Sequence, residues 1–219
     1  MHMLKCIIFD LDGTIGNTLP LCIAALKKSI EPLAGRTFSD QEIRDTFGPS
    51  EEGIIHALIP NQYEEVIESF LSHYQNLHTM CATPFVGIVE VLDYAKNHNV
   101  HLSLVTGKGE RGTGITLSMF RIHSYFDLIE TGSPRGSRKV EAIKNVLNQL
   151  GVAPVECIYV GDSPSDIIES REVGVPIVSA AWAETTNQEE LLALHPDWLF
   201  ADVKEFTQFI KQTIENEVS

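Results

Sequence analysis

Short β-branched runs alternate with helix-length amphipathic stretches over most of this chain, and that alternation demands a parallel sheet with helices on its faces. Strand runs fall at 6–10, 100–106, 128–131, 157–160 and 176–179, with a weaker one at 198–200. Helical periodicity predicts helices over 87–98, 112–120, 139–150, 165–173, 188–194 and 203–214. One interval breaks the rule. Between Leu19 and Ala82 no strand signal occurs and helix signals dominate. Ser39 and Glu42 form a capping-box pattern there, and Asn61 with Glu64 is expected to cap a helix through Val66, Phe70 and Tyr74. The predicted fold is therefore α/β, a doubly wound, Rossmann-like parallel sheet with an inserted helical cap. Residues 1–17 and 83–219 form the core and 18–82 the cap.

Length agrees, since 219 residues exceed one average domain without making two. Sixteen basic residues against 30 acidic ones give a formal charge of -14, which repels a phosphate backbone and argues against nucleic-acid binding. A phosphate site on such a surface needs a divalent cation to supply the positive field. The apolar run at the N-terminus is too short for a signal peptide or membrane span, so a cytoplasmic protein without membrane association is expected. Cys6, Cys22, Cys81 and Cys157 form no C-x-x-C pair and read as buried, reduced thiols.

The run Cys6-Ile-Ile-Phe-Asp10-Leu-Asp12-Gly-Thr14 is a buried-strand pattern ending in an acid, with a second acid two residues on. Asp-Gly makes turns readily, so a turn alone accounts for Asp12. The functional alternative is that one carboxylate attacks phosphorus while its neighbour protonates the leaving group. Val105-Thr106-Gly107 ends another strand, where a hydroxyl and a backbone N–H can bind phosphate oxygens or simply turn the chain. Gly161-Asp162 ends a third, and Asp166 follows at the start of a helix. There it is either a first-turn acid serving the helix dipole or part of an oxygen-ligand site for Mg2+. Lys139 opens a helix, as a solvated charge or as the cation that neutralises a transferring phosphoryl group. Ligands of open parallel sheets bind beyond the carboxyl ends of the strands. One such face would gather Asp10, Thr106 and Asp162.

These motifs, in this order and across essentially the whole chain, resemble the haloacid dehalogenase superfamily of phosphohydrolases in its phosphoglycolate-phosphatase-like branch. The resemblance implies that Asp10 is the nucleophile, Asp12 the acid/base, and Thr106 and Lys139 the phosphate binders. It implies Mg2+ held by Asp10, the backbone carbonyl of Asp12, and Asp162, with Asp166 in support. The substrate class it implies is a small phosphorylated metabolite, phosphoglycolate-like or a sugar phosphate, bound by Thr106, Gly107 and Lys139 and by cap contacts at Gly48 and Asn17. Two departures stand out. Lys139 lacks the proline that commonly follows it, which leaves Arg138 as a competing candidate. Asn17 stands where the family usually has Asp. The loop Phe47-Gly48-Pro49-Ser50-Glu51-Glu52 is expected to approach the site and set specificity, although it names no leaving group, and the sequence sets no oligomeric state. A sugar-phosphate mutase of the same superfamily is the nearest alternative. A nucleotide-binding oxidoreductase is the more distant one, because Gly107, Gly109 and Gly112 fit G-x-G-x-x-G between a strand and a helix.

Overall fold

The computed structural model describes residues 3–215. Strand β1 (Cys6–Phe9) is flanked by β2 (His101–Val105) and β4 (Cys157–Gly161), with β3 (Leu128–Glu130) beyond β2, and β5 (Ile177–Ala180) and β6 (Trp198–Phe200) beyond β4. All pairings are parallel, in the order β3-β2-β1-β4-β5-β6. The chain winds outward from β1 in one direction and restarts at β4 in the other. The crevice between β1 and β4 is thus the switch point at which such sheets bind ligands.

Every residue of β1 is buried, because both faces of the sheet are covered. Side-chain alternation then sorts the faces. Ile7 and Phe9 join one core with α5 (Ile88–Asn97), α6 (Glu110–Phe120) and α10 (Val203–Glu215). Cys6 and Ile8 join the other with α7 (Lys139–Leu150), α8 (Pro164–Val173) and α9 (Gln188–Ala193). Asp10 is next in the Cys6–Ile8 series. Its side chain is therefore sent toward α7 and α8, whose first turns carry Lys139 and Asp166.

The insert contributes α1 (Leu19–Ala34), α2 (Asp40–Arg44), α3 (Glu51–Leu58) and α4 (Tyr63–Leu77). These helices have a core of their own, in which Leu21, Leu26 and Ile30 of α1 meet Val66, Phe70 and Tyr74 of α4. Each such buried side chain contributes about 1.5–3 kcal/mol, so the insert carries its own source of stability. Ser39 and Glu42 form the expected capping box. Asn61 does not cap α4, because Pro60 starts a 3-10 turn, Pro60–Gln62, that takes up Asn61 and moves the helix start to Tyr63. Likewise α6 starts at Glu110, two residues before the expected Gly112, since Gly109 in extended conformation can already serve as its N-cap. The run from Phe47 to Glu52 is a loop only as far as Ser50. Ser50 is the N-cap of α3, which places Glu51 and Glu52 in a helical first turn.

All four cysteines are buried and free. No described helix is long and apolar enough to cross a membrane.

Candidate active site

Asp10, Thr106 and Asp162 each occupy the residue just past the end of a strand, β1, β2 and β4 respectively. The ladder holds Asp10 in place through its N–H, which donates to the Val160 carbonyl at 2.9 Å. The Thr106 N–H donates to Glu130 at 3.0 Å.

Around Asp10 the structure collects carboxylates. Oxygens of Asp10, Asp162 and Asp166 lie within 4.8 Å of one another. Lys139 Nζ sits 3.1 Å from Asp10 Oδ2 and donates to Asp166 Oδ1 at 2.5 Å. Asp166 is wholly buried and accepts three further hydrogen bonds, from Tyr159 Oη at 3.0 Å, Ser163 N at 3.0 Å and Ser163 Oγ at 2.6 Å. Asp166 is thereby a fully partnered anion that fixes Lys139. Burial alone would raise its pKa, but Lys139 and Ser163 outweigh burial and hold it below the usual range. Asp10 differs. Burial first, then Asp166 and Asp12, push it up to about 6 against the pull of Lys139 and the Leu11 N–H. Asp162 is raised well above its ordinary value by burial and by the charges of Asp10 and Asp166, with Lys139 and the Thr14 hydroxyl opposing. Burial disfavours the Lys139 ammonium, yet Asp10 and Asp166 raise its pKa well above that of a free lysine.

Asp10 Oδ1 is buried and has no hydrogen-bond partner among the described residues. A bare carboxylate oxygen beside two further carboxylates is the donor set that a hard divalent cation requires, and one lysine cannot neutralise all three. These residues fit such an ion.

Asp12 points elsewhere. Its Oδ1 accepts from the Thr18 hydroxyl, and its Oδ2 is 3.3 Å from Lys108 Nζ. The turn between Asp10 and Thr18 is tight. Gly13 N–H donates to the Gly16 carbonyl at 2.8 Å, and Trp182 Nε1 pins the Thr14 carbonyl at 3.0 Å. The Thr14 hydroxyl donates to Asp162 Oδ1 at 3.1 Å. Gly13 has φ +83°, and a Cβ there would lie 2.1 Å from Asp162 Oδ2. Gly13→Ala should therefore strain the backbone and displace Asp162, costing more than about 1 kcal/mol of stability. Thermal unfolding and phosphate-ester assays check this, and a wild-type melting temperature with a wild-type rate would refute it.

Lys139, at 8% exposure, is drawn into the cluster, whereas Arg138 turns out to pair with Glu130 at 3.1 Å and Glu141 at 3.2 Å. Thr106 is buried, its hydroxyl accepting from the Lys108 N–H at 3.2 Å. Gly107 has open space where a side chain would stand. Asn17 Oδ1 is buried without a partner among the described residues. Gly48 is exposed, in the turn before α3, and no hydrogen bond among the described residues joins it to the carboxylates.

Lys108, outside the expected set, meets Glu51 of the expected cap loop here. Lys108, 4% exposed, pairs with Glu51 of α3 at 2.8 Å as well as with Asp12, and lies over the Tyr74 ring at 4.5 Å. Glu51 Oε2 also accepts from the Gly109 N–H at 2.6 Å. Two of the three glycines in the Gly107-x-Gly109-x-x-Gly112 spacing, Gly109 and Gly112, are thus explained by the insert. A Cβ at Gly109 would lie 2.3 Å from Glu52 Oε2, and one at Gly112 would lie 2.9 Å from Glu51 Oε1. The glycines clear room for glutamates where a dinucleotide site would place its pyrophosphate.

Against known proteins, the family described as haloacid dehalogenase-like hydrolase matches residues 7–180. Pyrophosphatase PpaX of Oceanobacillus iheyensis is 26% identical over 210 residues, covering 94% of this chain and 97% of that protein. Phosphoglycolate phosphatase of Thiobacillus denitrificans is 28% identical over 185 residues, covering 80% of this chain and 82% of its own. Among solved structures, a haloacid dehalogenase-like family hydrolase from Streptococcus pneumoniae gives a TM-score of 0.76 at 25% identity, over 95% of this chain and 99% of that one. CbbY from Rhodobacter sphaeroides, solved in complex with phosphate, shares the fold with a TM-score of 0.76 at 16% identity, over 93% and 96%.

Proposed function

The chain belongs to the haloacid dehalogenase-like hydrolases, and from that premise we propose that it is a Mg2+-dependent phosphatase of small phosphorylated metabolites, with Asp10 as nucleophile. The observation that carries this reading is the state of Asp10. One carboxylate oxygen is held by Lys139 and the other is buried and bare, at the switch point of the sheet.

In the first step Asp10 attacks phosphorus, the bond from phosphorus to the leaving oxygen breaks, and Asp12 delivers the proton that the leaving alkoxide needs. Water then attacks the aspartyl phosphate, Asp12 takes its proton, and inorganic phosphate leaves with Asp10 restored. Lys139 neutralises charge gathered on the phosphoryl oxygens, and the Thr106 hydroxyl with the N–H of Gly107 orients them. Asp10, Asp162 and the carbonyl of Asp12 would hold Mg2+, with Asp166 behind. Bound there, the ion supplies positive charge to the phosphoryl group. Residues 18–82 act as a cap over a core formed by 1–17 and 83–219, and their contacts at Lys108 and Gly109 exclude water during the reaction. The structural likeness to CbbY concerns fold alone. The mutase alternative differs in that the phosphoryl group would have to return to substrate instead of to water.

Exhaustive chelation should abolish hydrolysis of p-nitrophenyl phosphate, and Mg2+ should restore it. Full activity in the chelated enzyme would sink the metal-dependent mechanism.

A further inference from the structure

We propose that Glu51 and Glu52 make the leaving-group side of the site selective against anionic leaving groups, so that the substrate is a phosphate monoester of a neutral, hydroxyl-bearing alcohol. This rests on the phosphatase reading above and narrows it.

If Asp12 protonates the leaving oxygen, the groups next to Asp12 face the leaving group. Beyond Asp12 Oδ2 lies Lys108 Nζ at 3.3 Å, the nearby cation that could greet a carboxylate or a second phosphate there. That cation is already taken. Glu51, only 4% exposed, binds Lys108 Nζ at 2.8 Å with one oxygen and the N–H of Gly109, at the start of α6, with the other. Two features that would attract an anion, a buried ammonium and the N-cap N–H of a helix, are engaged by one side chain. A second carboxylate stands beside it. Glu52 Oε2 approaches the Gly109 backbone so closely that a Cβ there would lie 2.3 Å away, and this oxygen is buried without a hydrogen-bond partner among the described residues.

Lys108 is engaged by Glu51, and Arg111, whose charge also reaches Glu52, is engaged by Glu68. An anionic leaving group would therefore meet Asp12, Glu51 and Glu52 in a water-poor region where like charges repel strongly. A hydroxyl faces no such repulsion. The same segment offers the Ser50 hydroxyl, 1% exposed and with no partner, together with the bare Glu52 oxygen. One can donate or accept and the other can only accept, a pairing that suits a substrate hydroxyl.

Three substrates test this on the whole, Mg2+-loaded protein: glycerol 1-phosphate, 2-phosphoglycolate and inorganic pyrophosphate, with p-nitrophenyl phosphate as the general phosphatase probe. The wild type should favour glycerol 1-phosphate over both anionic compounds by at least tenfold in kcat/KM. Glu51→Gln, which keeps the shape but frees Lys108, should reduce that preference at least tenfold, chiefly by lowering KM for the anionic pair. Glu52→Gln should shift it in the same direction by less. A wild type that prefers 2-phosphoglycolate or pyrophosphate overturns the inference whether or not either variant folds. So does a folded Glu51→Gln whose preference is unchanged. Absence of p-nitrophenyl phosphate hydrolysis in the wild type would instead remove the phosphatase reading beneath it.

Discussion

Asp10→Asn is expected to lose turnover by at least about 10^4-fold, the scale of removing a nucleophile that acts as part of a unit. In metal-free buffer near pH 7.5, the variant should nonetheless melt higher than the wild type. The two effects share a cause. Burial, reinforced by Asp166 and Asp12, raises Asp10 to about 6 from its ordinary 3.8 despite the opposing pull of Lys139. A carboxyl whose folded pKa exceeds its unfolded one contributes stability that is fully present below the unfolded value and is lost as pH rises through the folded value. Without metal, the wild type should therefore weaken between about pH 4 and pH 6, by an amount on the order of 2–3 kcal/mol. Asparagine cannot ionise and escapes that loss. Denaturation monitored at pH 4.5, 6 and 7.5 in chelator, for both proteins, checks the sign. A variant less stable than the wild type at pH 7.5, or a phosphoryl label recovered on a residue other than Asp10, would refute the assignment.

The carboxylate-bearing end of the sheet was legible in the sequence because burial on both faces forces strands to be written as apolar runs, and an acid ending such a run is conspicuous. Asp10 and Asp162 could be found that way. Lys139 competed with Arg138 only because local charge says nothing about direction, yet the periodicity held the answer. Lys139, Ala142, Ile143 and Val146 form one buried stripe of α7, and Arg138 lies outside it as the N-cap. Glu51 was harder. Ser50 followed by two acids is a helix start, but the partner that gives Glu51 meaning, Lys108, lies in another part of the chain and no local pattern links them. For the same reason the glycines from 107 to 112 read as a nucleotide motif. Their spacing is real, but the space beside Gly109 and Gly112 is filled from the insert, by Glu52 and Glu51.

Lys139→Ala should be the most damaging single change for stability and activity together, and Arg138→Ala should be nearly silent. Lys139 is the cation within reach of Asp10 and Asp166 at once, and it is almost completely buried. Removing one partner of a buried pair strands the other, at about 3–5 kcal/mol. Here the alanine strands two carboxylates, Asp10 and Asp166. Turnover should also fall at least about 10^2-fold, the scale of removing one preorganised donor from a developing negative charge. Arg138 is partly exposed and divides itself between a largely buried Glu130 and an exposed Glu141, outside the carboxylate cluster, so its loss should cost about 1 kcal/mol. Millimolar Mg2+ separates the two roles of Lys139. A divalent ion among Asp10, Asp162 and Asp166 relieves their repulsion and should recover much of the melting temperature of Lys139→Ala, but it leaves the phosphoryl oxygens without the lysine, so the rate should stay low. Recovery of both stability and rate would mean that Lys139 only balances charge, and a larger loss in Arg138→Ala than in Lys139→Ala would reverse the assignment of the two residues.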